Sequence, residues 1–204
     1  MSHDAPPAAS AVDPRAQAVL DEWFGVPGSA EFGTARKRWF KRDDAFDAHL
    51  RERFGAWIDE AARGELDHWM ATPEGALALV IVLDQLPRNC RRGSPQAFAC
   101  DGKAVQVARR MVASGADRRL PTAQHRAFVY LPFEHSERVD DQRESLRLQR
   151  EFVRETGNQE YARHAERHAE IVERFGRFPH RNAVLGRAST DEEIAFLKEP
   201  WSSF

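Results

Sequence analysis

Three short segments of the chain carry polar side chains at spacings that suit chemistry. The first is Asp84-Gln-Leu-Pro-Arg-Asn89, which comes directly after an apolar run. It sets Asp84, Gln85, Arg88 and Asn89 at the rim or floor of a cleft, where each withdrawn polar group needs a partner. The plainer alternative is a helix end, terminated by Pro87, at which Asp84 pairs with Arg88 one turn later. The second segment is Leu131-Pro-Phe-Glu-His-Ser-Glu137. It offers Glu134, His135, Ser136 and Glu137 in succession, and a carboxylate beside an imidazole is how general bases and metal-bound histidines are oriented. Here the alternative is that Ser136 or Glu137 caps the next helix and His135 is exposed. The third segment spans 164–182. His168 falls on the apolar stripe Tyr161, Ala165, Val172 and Phe175, with His164 one turn before it, and Arg177-Phe-Pro-His-Arg-Asn182 packs two guanidiniums, an imidazole and an amide into one corner.

Each residue type points to a chemistry. The forked donors of Arg88, Arg177 and Arg181 suit a carboxylate or phosphate, Asn89 and Asn182 can orient it, and Asp84 and Glu137 can position the arginines or histidines. Asp84, Gln85, Arg88, Asn89, Glu134, Arg177, Arg181 and Asn182 are therefore the candidate ligand-binding set, for a small anionic molecule or a peptide carboxylate. His135, Glu137, His168 and His180 are the candidate catalytic set. In that reading His135, His168 and His180, with Glu134 or Glu137, bind a divalent metal that activates water, or one histidine–carboxylate pair acts as general base. A seam histidine is more often a hydrogen-bonded core residue, and Arg177 and Arg181 can equally pair with carboxylates of neighbouring helices. An interaction scaffold with a concave apolar groove is the third reading.

The elements that would position these groups are helical. Asp13-Pro14 starts a helix that carries Ala16, Val19, Leu20, Trp23 and Phe24 at helical spacing until Gly25. Asp43 to Arg63 is amphipathic, with Phe46, Leu50, Phe54, Trp57, Ile58 and Ala61 on one stripe. Thr72-Pro73-Glu74 opens a second start, and the run Ala76 to Leu83 is apolar all round, which predicts a buried central helix, with a buried strand as the alternative. Asp101 caps a helix reaching Gly115, and another runs from Thr122 to Leu131, where Pro132 prevents simple continuation. Helices come next over 140–155 and 159–175, and Ser189-Thr190-Asp-Glu-Glu193 offers a capping box for a last one before Pro200. The chain has two Tyr and no hairpin turn signal, so the predicted fold class is all-α, built of antiparallel helical hairpins as a bundle or short solenoid. Residues 1–12 read as a disordered tail and 13–204 as a single helical domain.

Composition excludes several functions. With 204 residues and 42% hydrophobic content, the chain fits one globular domain. Thirty basic against thirty-two acidic residues give a formal charge of -2, so no overall field collects nucleic acid or an anionic membrane. Trp39-Phe40 beside Arg36, Lys37 and Arg38 could stack on a base, although an aromatic pair of this kind is more often core. The apolar run is too short to span a bilayer, and the N-terminus lacks a signal peptide's pattern. A cytoplasmic protein is expected, with Cys90 and Cys100 remaining thiols. Walker, dinucleotide, nucleophile-elbow and Cys-x-x-Cys signatures are missing from the sequence.

Taken in order, Arg38-Trp-Phe40, Asp84-Gln-x-Pro-Arg-Asn89 with Asp101 downstream, Pro132-Phe-Glu-His-Ser-Glu137, Phe175-Gly-Arg-Phe-Pro-His-Arg-Asn182 and Leu185-Gly-Arg187-x-Ser-Thr190 resemble the bacterial family known as domain of unknown function 924. The resemblance covers roughly Val19 to Leu197. It implies an all-helical, tetratricopeptide-like arrangement of stacked antiparallel helices around a concave face. It implies no activity, but it does imply that the three polar segments, being the family's signature segments, form one site.

Overall fold

The computed structural model describes residues 11–204. Most of the expected tail at 1–12 therefore lies outside the described residues. Helix α1 (Pro14–Phe24) starts as its sequence requires, with the Asp13 carboxylate accepting the Arg15 amide and Pro14 in the first turn, and it stops at Gly25. It buries Ala16, Val19, Leu20, Trp23 and Phe24. In α2 (Asp44–Arg63) Asp43 accepts the amides of Ala45 and Phe46, and Gly64, at φ +88, closes the helix in the left-handed conformation that glycine adopts without strain. Helix α3 (Pro73–Val80) is capped by the Thr72 hydroxyl. Every residue from Ala76 to Leu83 is buried, and α3 packs against α1, α5 and α6, so this run is the central helix.

Two prolines do not end their helices as the sequence suggests. The central helix passes Leu83 through a π-turn, Ile81–Gln85, in which the Leu86 amide reaches back to the Ile81 carbonyl, and continues as α4 (Leu86–Cys90) with Pro87 in its first turn. The wider turn inserts a residue and rotates the next stretch of helix by about 100° relative to an uninterrupted one. Side chains beyond the turn point in other directions than in a regular helix, and Asp84, Gln85 and Asn89 are buried like the apolar run that precedes them. Pro132 likewise sits inside α6 (Ala123–His135). The end of α6 is held instead by Gln142, whose Nε2 donates to the carbonyls of Glu134 and Ser136, each at 2.7 Å. Packing on several sides offsets the bond that each proline removes.

The remaining helices are α5 (Asp101–Ala113), α7 (Val139–Thr156), α8 (Glu160–Phe175) and α9 (Asp191–Phe196), with Thr190 and Glu193 completing the expected capping box. Asp101 is the first residue of α5 rather than its cap, and its carboxylate turns elsewhere. Successive helices from α5 to α8 pack on one another across short connections, and no strand occurs among the described residues. The fold is all-α and compatible with a tetratricopeptide-like stack. The main core runs from α1 to Tyr161, and a lesser cluster of Ile171, Val172, Phe178 and Phe196 holds the 176–190 corner and α9. Trp39 is core, its Nε1 donating to the Trp23 carbonyl at 3.0 Å. Cys90 and Cys100 are free and buried. No helix is long and apolar enough to cross a membrane among the described residues.

Close packing under the central helix reverses an ordinary helix rule. A Cβ on Gly75 would stand 2.2 Å from the Trp69 carbonyl oxygen, whereas one on Gly55, in the middle of α2, would meet only the Arg51 side chain at 3.5 Å. Gly55→Ala should stabilise the protein by roughly 0.5–1 kcal/mol, and Gly75→Ala should destabilise it by about 1–3 kcal/mol through overpacking. Urea unfolding of both variants checks the opposite signs.

Candidate functional site

The π-turn aims Asp84 into the protein interior, where it is fully buried. Its Oδ2 accepts from Gln85 Nε2 at 2.6 Å, and its Oδ1 meets His135 Nδ1 at 2.7 Å and the Arg88 guanidinium at 3.3 Å. Burial alone would raise the Asp84 carboxyl, but His135, Arg88 and Gln85 together hold it well below the usual carboxylate range. A carboxylate only accepts, so the His135 proton is on Nδ1 and the Nε2 lone pair is left free. Burial and the nearby Arg88 lower the His135 pKa more than Asp84 raises it. The imidazole is therefore neutral at pH 7, with its basic nitrogen available.

Arg88 links this dyad to α5. Its guanidinium binds both Asp101 oxygens, at 2.9 and 3.0 Å, and also donates to the Asp84 carbonyl. Asp101 in turn accepts from Arg181 Nη1 at 3.2 Å. The Arg181 guanidinium lies between two phenylalanine rings, 4.6 Å from the centre of Phe98 and 4.5 Å from that of Phe178, and its Nε has no hydrogen-bond partner. Burial and the charge of Arg88 push its pKa down to about 10, so it stays a cation at neutral pH. A cleft of about 640 Å³ opens onto this group, with Phe98, Asp101, Arg109, His135, Ser136 and Arg181 among its lining residues.

The three sequence segments do meet. The first joins the second through Asp84 and His135, and the third through Arg88 and Arg181, which share the Asp101 carboxylate. The second joins the third through Glu137, which accepts two bonds from Arg187, at 2.6 and 2.9 Å, and one from the Phe178 amide at 2.8 Å. Glu137 lines the cleft, but its oxygens are committed to this brace, and the contacts lower its pKa against the opposing effect of burial.

Other candidates fall outside the cleft. Arg177 forms a two-pronged pair with Glu193, at 2.6 and 2.8 Å, and so secures α9 instead of facing a ligand. Asn182 donates to Ser189 and Glu193 and accepts from Arg187, which makes it part of the same clasp. Asn89 donates to Asp47 at 2.7 Å, tying α4 to α2. Glu134 is buried in the α6–α7 seam, accepting from Gln149 at 2.7 Å, and with no cation beside it burial pushes its pKa up to about 8.

The histidine metal set is not assembled. His135 and His168 have ring centres 6.0 Å apart, but His135 Nδ1 is taken by Asp84 and His168 Nδ1 donates to the His164 carbonyl at 2.7 Å. Among the described residues no three His, Cys, Asp or Glu side chains form a metal-ligating group. His168 is held well below its ordinary pKa by burial and by His135, and His180 is pushed down to about 4 by burial and Arg181. Sequence reasoning missed Phe98 and Arg109, which carry no local signal. Asp101 reads in the sequence only as a helix cap and motif residue and Arg187 only as a motif residue, and their positions in the family pattern are the signal that points to the site.

This combination of a helical stack and converging polar segments has relatives. The chain belongs to the family described as bacterial protein of unknown function (DUF924), whose model matches residues 19–201. A protein of unknown function from Agrobacterium tumefaciens, of solved structure, is 39% identical, with a TM-score of 0.78 over 90% of this chain and 96% of that one. No curated protein matches the chain.

The buried Glu134 gives the protein a defined pH response. The folded protein keeps this proton up to about pH 8, whereas an ordinary glutamate releases it near 4.5. Between those values the folded state binds more protons than the unfolded state, so this group's contribution to stability declines as pH rises. Glu134→Gln keeps the shape and has no such proton. Its unfolding free energy should fall less than that of the wild type between about pH 5 and about pH 8, and parallel declines in urea titrations would reject a protonated Glu134.

Proposed function

We propose that the cleft binds a small molecule through an anionic group, a carboxylate or phosphate, or the carboxylate of a peptide, with Arg181 as the principal anchor. The observation that carries this reading is the Arg181 guanidinium itself. It is buried and flanked by Phe98 and Phe178, yet it has one hydrogen bond, to Asp101, and an Nε without a partner. A desolvated cation with unused donors gains more from an incoming oxyanion than a hydrated surface arginine does. Asp101 already receives both prongs of Arg88, so it neutralises Arg181 only in part. The free thiols of Cys90 and Cys100 favour a reducing compartment, and the protein is read as cytoplasmic.

A second reading rests on the Asp84–His135 pair at 2.7 Å. The geometry is that of a general base held in one tautomer by a buried carboxylate, and His135 belongs to the lining of the same cleft. The pair would remove a proton from water or from a ligand hydroxyl anchored at Arg181. This chemistry needs neither His168 nor His180 as a metal ligand.

Calorimetric titration with small carboxylates and with inorganic phosphate tests the first reading. Arg181→Ala should weaken binding by at least about tenfold, a loss of roughly 1.4 kcal/mol, while circular dichroism stays that of a folded helical protein. Unchanged affinity in a folded variant overturns the assignment. His135→Ala should retain binding and, against a panel of carboxylate and phosphate esters, lose about 100-fold or more of any turnover the wild type shows. Turnover that survives this substitution excludes His135 as the base.

A further inference from the structure

Segment 200–204 folds back along α8 and ends against the histidines. Arg167 Nε donates to the Trp201 carbonyl at 3.0 Å and the Ser202 hydroxyl to the Leu197 carbonyl at 3.2 Å. Trp201 turns the segment with a backbone φ of +61, in the left-handed region, while its side chain stays largely exposed. These contacts deliver the Phe204 ring to one place. It lies flat on His168, with centres 3.8 Å apart and planes 18° apart, and stands nearly perpendicular to His180 and Phe178 at 5.5 and 6.3 Å.

The berth is more polar than its occupant needs. His180 Nδ1 is buried without a partner, which the neighbouring phenyl ring cannot supply, and Arg181 Nε on the next residue is also buried without one. His168 donates through Nδ1 to the His164 carbonyl, so its ring is fixed in orientation and presents one face to Phe204. Phe204 itself remains 51% exposed, which marks a ring resting in an open berth and not one locked in the core. The berth adjoins the cleft through His168, whose ring centre is 6.0 Å from that of His135, and through Phe178, whose ring also supports Arg181.

We propose that this berth is the aromatic subsite of the anion-binding cleft: the ligand is a small aromatic acid whose ring replaces Phe204 on His168 while its anionic group lies against Arg181. The inference rests on the anion-binding reading of Arg181 and adds the ligand's second feature, a planar ring. Segment 200–204 is then an internal occupant that the ligand must displace. Stacking on an imidazole held in one orientation favours a flat ring over an aliphatic group of equal size.

Phenyl phosphate and inorganic phosphate, compared at a mildly alkaline pH where both are dianions, are the probes that isolate the ring, titrated by calorimetry into wild-type, Phe204→Ala and Arg181→Ala proteins. Phenyl phosphate should bind the wild type about fivefold or more tightly than inorganic phosphate, the scale of one aromatic contact. Phe204→Ala should tighten phenyl phosphate by a further factor of about five by removing the competitor, and should leave inorganic phosphate unchanged. Equal affinities for the two probes, or a Phe204→Ala variant that binds phenyl phosphate more weakly, overturn the aromatic subsite. If inorganic phosphate still binds in an Arg181-dependent way, the anion-binding reading survives that failure; no binding of either probe to any of the proteins overturns both. Proton NMR supplies an independent readout, because Phe204 shields the His168 ring protons. They should move downfield in Phe204→Ala and return upfield when phenyl phosphate, but not inorganic phosphate, is added; resonances unmoved by the substitution also overturn the proposal.

Discussion

The structure around the cleft depends on one buried charge, the Asp84 carboxylate. An ionised carboxyl withdrawn from water is tolerated only when cations and hydrogen-bond donors replace its hydration. Here those donors come from Gln85 and Arg88 on its own helix and from His135 on α6. Meeting that requirement fixes Arg88, which holds Asp101 at the start of α5, and Asp101 then holds Arg181 in the corner after α8. A single desolvated group thus connects four parts of the fold that sequence separation keeps apart. The π-turn and the proline after it are the backbone's share of this arrangement, since a regular helix would point residue 84 in another direction.

Charge in this network is nearly balanced, and its chemistry lies in the imbalance that remains. Asp84 and Asp101 face Arg88 and Arg181, but Arg88 takes the better geometry to both carboxylates. Arg181 is left with two aromatic faces, one hydrogen bond and a depressed pKa. Beside it the histidines are neutral because burial disfavours their charged forms. The result is a cation that lacks a full counterion next to an imidazole with a free basic nitrogen, the combination an anionic ligand with an exchangeable proton would use.

The corner at 176–190 shows how polar motif residues divide between structure and site. Arg177, Asn182 and Arg187 look equivalent to Arg181 in sequence, with polar donors at neighbouring positions. Glu193 of the capping box takes Arg177 and Asn182, and Glu137 takes Arg187. Those three residues make the corner rigid, and rigidity is what presents Arg181 to the cleft with its Nε unused. Removing the clasp would perturb the site without touching it.

Hydrophobic period, caps and breakers are local properties. The helices at 14–24, 44–63, 139–156 and 160–175, the buried run at 76–83 and the capping box at Thr190 were legible in the sequence for that reason. So was the convergence of the three polar segments, through their residue types and their family resemblance. The fate of Pro87 and Pro132 was not legible, because whether a helix survives a proline depends on packing from elements distant in sequence. Nor was the difference between Arg181 and Arg177, or between His135 and Glu134. Each depends on which oppositely charged or polar group lies across a helix interface and on how much water is excluded there. Desolvation belongs to the assembled structure, so only the tertiary fold decided which carboxylate is ionised, which histidine is neutral and which arginine faces the cleft.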